Sequence, residues 1–215
     1  MGKEIDLDFF ARDYDFILVD TCALQSINLK CNENNELDID FRKIIQKDEF
    51  MFLDFLKKKK ENSSNFYFTP SIPSEINLKS HRFNYKKIIK RVNKLENYDT
   101  ELLRLIRDNK KLRRLITDDS LGNILQLDSM EIKLYKTISD EYPYLPLKGE
   151  SNISPVDYDF LINGAVLFCT RGSTALLSND IGIFWAMKEL SCRNIKNRKF
   201  DFFLRKNFPY VERLS

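Results

Sequence analysis

Histidine is almost missing from this chain: of 215 residues only His81 is a histidine, and the cysteines number four, Cys22, Cys31, Cys169 and Cys192. No two cysteines stand in a CxxC pair, so neither a zinc ribbon nor a dithiol redox centre has its ligands in place. The thiols are expected to be reduced, with Cys22 and Cys169 packed in the core. Long apolar runs are missing as well. No stretch of about 18 uncharged apolar residues occurs, and the opening MGKEIDLDFFARDYDF is charged where a signal peptide needs an apolar segment. The expectation is a soluble, cytoplasmic protein with no membrane partner. Internal repeats and low-complexity tails are also absent.

What is present suffices for one substantial core: 43% of residues are hydrophobic and 13% aromatic. The net charge is only +3, but it is unevenly spread. From Lys79 to Arg114 there are thirteen Lys or Arg against four acids, a local charge of +9, so the rest of the chain carries −6. A basic lobe beside an acidic body suits a protein that holds a polyanion while gathering carboxylates around metal ions. The plainer reading is a pair of solvated amphipathic helices.

Along the chain, FILVD (16–20) reads as a strand buried on both faces and ending in an acid. Residues 41–60 carry apolar side chains at helical spacing and finish in four lysines, which suit a helix C-terminus. FYFT (66–69) is a second strand, with Pro70 and Pro73 as breakers before a short helix containing Ser74, Glu75 and Ile76. Residues 82–140 show three helical patterns, the last around Ile124, Leu127, Ile132 and Leu134, and no convincing strand. Ser154-Pro155 opens a helix through Phe160, Leu161 and Ala165. ALLSND (175–180) is another strand with an acid at its end, a helix follows through Ile183, Trp185 and Leu190, and KFDFFLR reads as a last strand. Such alternation predicts an α/β protein with an open, mostly parallel sheet, whose crevice lies beyond the carboxyl ends of the strands.

Asp20 and Asp180 fall at that edge, and Glu75, Asp157 and Asp159 head helices expected to begin near it. Each acid has an ordinary role available: Asp20 and Asp180 as helix caps, Glu75 against a helix dipole, and Asp157 in a capping pair with Ser154. Their recurrence at one edge is what caps alone do not require. Gathered carboxylates repel and bind protons more tightly unless a cation neutralises them. Oxygen donors of this kind suit Mg²⁺ or Mn²⁺, and such ions support phosphodiester cleavage by activating water and stabilising phosphate charge.

The motifs FILVDTCAL, TPSIPSEI, SPVDYDFLINGAVLF and ALLSNDIGIFWA, in that order, resemble the PIN-domain ribonuclease family. The resemblance covers residues 1–80 and 145–215, leaving 81–144 as an inserted, basic helical subdomain. It implies a three-layer PIN-like fold with that helical insertion. It also implies Asp20, Glu75, one or both of Asp157 and Asp159, and Asp180 as metal-binding catalytic residues, with Thr21, Ser178 and Asn179 supporting them. The activity implied is endonucleolytic hydrolysis of RNA. DYDFLI followed by SNDIGIFWA is similar to the minimal protein-only RNase P group, also known as RNA ligase partner proteins, which would imply trimming of tRNA 5′ leaders and assembly into homo-oligomers. The chain departs from that group in carrying Ile153 where a further aspartate is expected and in a longer CTRGST loop. A PIN-type toxin ribonuclease and a catalytically silent RNA- or protein-binding scaffold are the alternatives.

In the basic segment, Lys86, Lys87, Lys90, Arg91, Arg107, Lys110, Lys111, Arg113 and Arg114 are the expected RNA contacts, with a tRNA precursor as the natural test substrate. Phe83, Tyr85 and Tyr98 suit base stacking or packing of the helices equally. His81 reads as a surface or RNA-contacting residue, Trp185 as core, and Lys57 to Lys60 as a solvated helix end.

Overall fold

The computed structural model describes residues 3–24, 51–52, 54–56, 58–59, 65–75, 123–143, 153–190, 195, 197–206 and 208–214. Among the described residues seven strands form one sheet, in the order β1-β7-β6-β5-β2-β3-β4. These are β1 (Glu4–Asp6), β2 (Phe16–Val19), β3 (Phe66–Phe68), β4 (Asn123–Ile124), β5 (Thr174–Ser178), β6 (Phe200–Arg205) and β7 (Tyr210–Leu214). From β4 to β6 all neighbours are parallel, and β7 and β1 extend the β6 edge antiparallel. The chain is therefore α/β with a mostly parallel sheet, as the alternation of elements predicts.

The apolar run at 16–19 forms β2, with Ile17, Leu18 and Val19 fully buried, and its neighbour β5 is buried along its whole length. Central parallel strands are covered on both faces, which is why neither shows an alternating pattern. Helix α1 (Leu7–Phe10) and helix α2 (Thr21–Leu24) are single turns. Residues 51–59 are helical at each described position, with Phe52 and Leu56 buried, and residues 71–75 form a further helical turn. Pro73 sits inside that turn rather than ahead of it, in a first-turn position where no N–H is required. Among the described residues three longer helices follow: α3 (Ser129–Glu141), α4 (Pro155–Thr170) and α5 (Ile181–Glu189).

Helix α4 starts where expected, with Ser154 as N-cap and Pro155 at its first position. It is apolar nearly all round and buried continuously from Phe160 to Phe168, as befits a helix laid on β5 and β2 with α3 outside it. Gly164 permits this close approach, because a Cβ there would lie 2.5 Å from Leu176 Cδ2 on β5. At the other end of the sheet, Phe10, Tyr14 and Phe203 cluster, and Tyr14 donates its hydroxyl proton to Asp201, which also takes a 2.7 Å hydrogen bond from Arg213.

Several expectations need correction. The run 82–140 contains strand β4, so Ile124 belongs to the sheet and α3 begins only at Ser129. Both β4 and α3, though inside the span expected as an insertion, pair with β3 or pack on α4. KFDFFLR is not the last strand, since β7 follows it, and β1 was not anticipated. Cys22 and Cys169 are half-buried rather than sealed in the core. Among the described residues no helix is long and apolar enough to cross a membrane.

Candidate metal centre

The strand order reverses between β2 and β5: from β2 the chain builds outward to β3 and β4, then returns to β5 and β6 on the other side. In open parallel sheets the crevice opens at that reversal, outside the carboxyl ends of the two strands. Asp20 follows β2 directly, its N–H bonded to Leu177 O of β5 at 2.9 Å, and Asp180 stands two residues past β5.

Asp20 is 2% exposed. Its Oδ2 accepts hydrogen bonds from Ser178 Oγ (2.7 Å) and Cys22 Sγ (2.7 Å). Burial raises its proton affinity, those two donors oppose the rise, and the negative charge of Glu75 adds to it. The Cys22 thiol is itself pushed far up by burial and by Asp20, so it stays protonated and serves as a donor. Asn179 closes the loop after β5 onto α2: its N–H donates to Cys22 Sγ (3.0 Å) and its Nδ2 to Cys22 O (3.2 Å).

Asp157, near the start of α4, is held up to about 6, first by burial and further by the charges of Asp20, Asp180 and Glu75, while a 2.6 Å hydrogen bond from Ser154 Oγ acts the other way. Asp180 is exposed and caps α5 by accepting from Gly182 N (2.7 Å), and its own N–H reaches Ser178 Oγ (2.9 Å). The capping roles open to Asp157 and Asp180 are thus real, and they coexist with convergence. Four of the five expected acids are thus linked electrostatically, Asp20, Glu75 and Asp180 each acting on Asp157, and Glu75 on Asp20.

Asp159 has hydrogen-bond partners of its own. Its Oδ2 accepts from Ser71 Oγ (2.6 Å) and its Oδ1 from Tyr135 OH (3.0 Å) and Asn163 Nδ2 (2.9 Å). Two positions along a helix rotate the side chain by about 200°, which separates the two aspartates onto different faces of α4. Ser71 and Tyr135 were not singled out in the sequence, and Cys22 was read only as core.

Among the described residues, no group of three or more Asp, Glu, His or Cys is arranged to hold a metal ion. The acids repel one another, and drawing them into one shell requires the charge of a cation. The donor set nevertheless fits a hard divalent ion. It is made of oxygens, and beside Asp20 the buried atoms Thr21 Oγ1 and Asn179 Oδ1 have no hydrogen-bond partner. Of the three residues expected to support the site, Ser178 bonds Asp20 directly, Asn179 bonds Cys22, which in turn bonds Asp20, and Thr21 follows Asp20 in the chain. His81 and the nine basic residues expected to contact RNA lie outside the described residues, as do Phe83, Tyr85 and Tyr98. Within the lysine quartet, Lys59 pairs with Asp8 at 2.7 Å. Trp185 packs against the core beside Phe184.

No protein-family model matches the chain, and neither the curated proteins nor the solved structures yield a match.

Proposed function

We propose that this protein is a divalent-metal-dependent endoribonuclease of PIN-like, three-layer type, acting in the cytoplasm on structured RNA such as tRNA precursors. The observation that carries the reading is that Asp20 and Asp180 stand at the carboxyl ends of β2 and β5, where the strand order reverses, and that Asp157, its proton affinity raised first by burial, also feels the charges of Asp20, Asp180 and Glu75. Uncompensated repulsion is costly, and a cation-binding role gives it a use.

In this reading the four carboxylates hold Mg²⁺ or Mn²⁺, with Thr21 Oγ1 and Asn179 Oδ1 as further oxygen donors. When bound, such an ion lowers the pKa of water and stabilises charge on an attacked phosphate. Ser178 and Cys22 orient Asp20 by donating to one of its oxygens, leaving its position set by β5 and α2. Ser154 does the same for Asp157. The segment 79–114, with its charge of +9, supplies cations for the RNA backbone.

The test is incubation of purified protein with a tRNA precursor and with an unstructured RNA, in Mg²⁺, Mn²⁺ or chelator, followed by mapping of the ends. Cleavage that needs metal and is abolished by Asp20→Asn and by Asp180→Asn supports the reading. Wild-type rates in both variants overturn the site assignment, and RNA binding without any cleavage would replace the enzyme by a scaffold.

A further inference from the structure

We propose that Asp159 is a positioning residue and not a metal ligand: it clamps the helical turn 71–75 through Ser71 and so fixes the approach of Glu75 to Asp20 and Asp157. This rests on the metal-nuclease reading above.

Both oxygens of Asp159 are already engaged, by donors from three elements. Ser71 Oγ comes from the helical turn after β3, Tyr135 OH from α3, and Asn163 Nδ2 from α4 itself. Asn163 also donates to Asp159 O at 2.7 Å, which ties the side chain to its own helix one turn on. A carboxylate accepting several hydroxyl and amide protons makes charge-assisted bonds, stronger than those between neutral groups. Binding a cation through the same oxygens would break them. Asp159 therefore acts as a bolt where three elements meet.

What the bolt holds is specific. Ser71 opens the helical turn and Glu75 stands four residues later, on the same face one turn along. Thr69, fully buried at the end of β3, pairs its Oγ1 with Ser71 Oγ at 2.8 Å, and its carbonyl accepts from Ile72 N at 3.1 Å. The turn is thus fastened to the sheet through Thr69 and to α4 through Asp159, and Glu75 hangs from its far end. Asp157, two residues before Asp159, lies among the acids, so a single helix sets both the carboxylate that joins the group and the bolt that places Glu75.

The experiment titrates Mn²⁺ calorimetrically into the full chain, as wild type, Ser71→Ala, Asp159→Asn and Glu75→Gln, and into the double variants Ser71→Ala/Glu75→Gln and Asp159→Asn/Glu75→Gln. Amide hydrogen exchange over residues 69–75 is followed in metal-free protein. Ser71→Ala and Asp159→Asn are expected to speed exchange across that turn and to weaken Mn²⁺ roughly ten- to hundredfold, the usual effect of removing a partner behind a ligand. In the Glu75→Gln background neither should cost anything more, because the bolt acts only through Glu75. If Asp159 were itself a ligand, Asp159→Asn would still cost affinity without Glu75 while Ser71→Ala cost none, and the proposal would fall. Wild-type binding with unchanged affinity and exchange in both variants overturns this proposal alone, whereas no Mn²⁺ binding by the wild type overturns it together with the metal reading.

Discussion

Replacing Glu131 by glutamine should remove a buried latch whose worth follows from its geometry. Glu131 is the third residue of α3, and its Oε2 accepts from Asp128 N at 2.9 Å, closing a capping box. The same carboxylate takes a two-pronged grip from Arg171 at the end of α4, with Nε to Oε1 and Nη2 to Oε2 both at 2.6 Å, while Arg171 Nη2 also reaches Gln126 O at 2.9 Å. Thr170 Oγ1 donates to Oε1 at 2.9 Å. The Glu131 side chain is 2% exposed, and the Arg171 hydrogen bonds hold its carboxyl at about 2 against an ordinary 4.5. That gap corresponds to roughly 3 kcal/mol at neutral pH. Arg171 is 31% exposed, so screening on its side brings the expected loss to about 2 kcal/mol. The folded-state value is depressed, so the stabilisation is complete above the unfolded value near 4.5 and is lost as pH falls towards 2. Chemical denaturation followed by circular dichroism should show Glu131→Gln about 2 kcal/mol less stable than wild type at pH 7, with under half of that difference left near pH 3. A difference that stays constant or grows on acidification would refute the latch.

Three further outcomes follow from the same structure. Gly164→Ala places a Cβ 2.5 Å from Leu176 Cδ2 between α4 and β5, an overlap costing about 1–3 kcal/mol against about 1 kcal/mol gained from alanine's helix preference, so Tm should not rise; a raised Tm contradicts the close packing. In chelator at pH 7, Asp157→Asn should raise Tm by the equivalent of roughly 1 kcal/mol, since it removes a carboxylate held up to about 6 by burial and three neighbouring charges; a lower Tm contradicts the repulsion. Neutralising Lys86, Lys87, Lys90 and Arg91, or Arg107, Lys110, Lys111, Arg113 and Arg114, should weaken RNA binding and flatten its salt dependence. Dissociation of an oligomer in light scattering with RNA affinity unchanged would instead assign that face to contacts between copies of the chain.

The central strands were easier to read than the edges of the sheet. FILV and ALLS are short uniform apolar runs because central parallel strands are covered on both faces, and each runs directly into its acid. Strand β4 is two residues long, too short to impose a period on a sequence with helical patterns on either side, and β1, with two acids in three residues, shows no apolar face. The capping box from Asp128 to Glu131 was a local signal that marked the true start of α3 and passed unused. Helix geometry alone separated Asp157 from Asp159, yet nothing local says which face meets the other acids. That is decided by Ser71 and Tyr135, 88 and 24 residues away from Asp159 in the chain. Cys22 was read by its apolar character, whereas its place two residues after Asp20 makes the thiol a donor to the buried carboxylate.

The divalent-cation site proposed at the reversal of strand order between β2 and β5 can be looked for directly. Crystals grown with Mn²⁺ and measured near the manganese absorption edge test it most directly. The expected result is an anomalous peak among Asp20, Glu75, Asp157 and Asp180, with Asp159 still bonded to Ser71. A peak elsewhere, or none at that crevice at a Mn²⁺ concentration that supports RNA cleavage, would contradict the account.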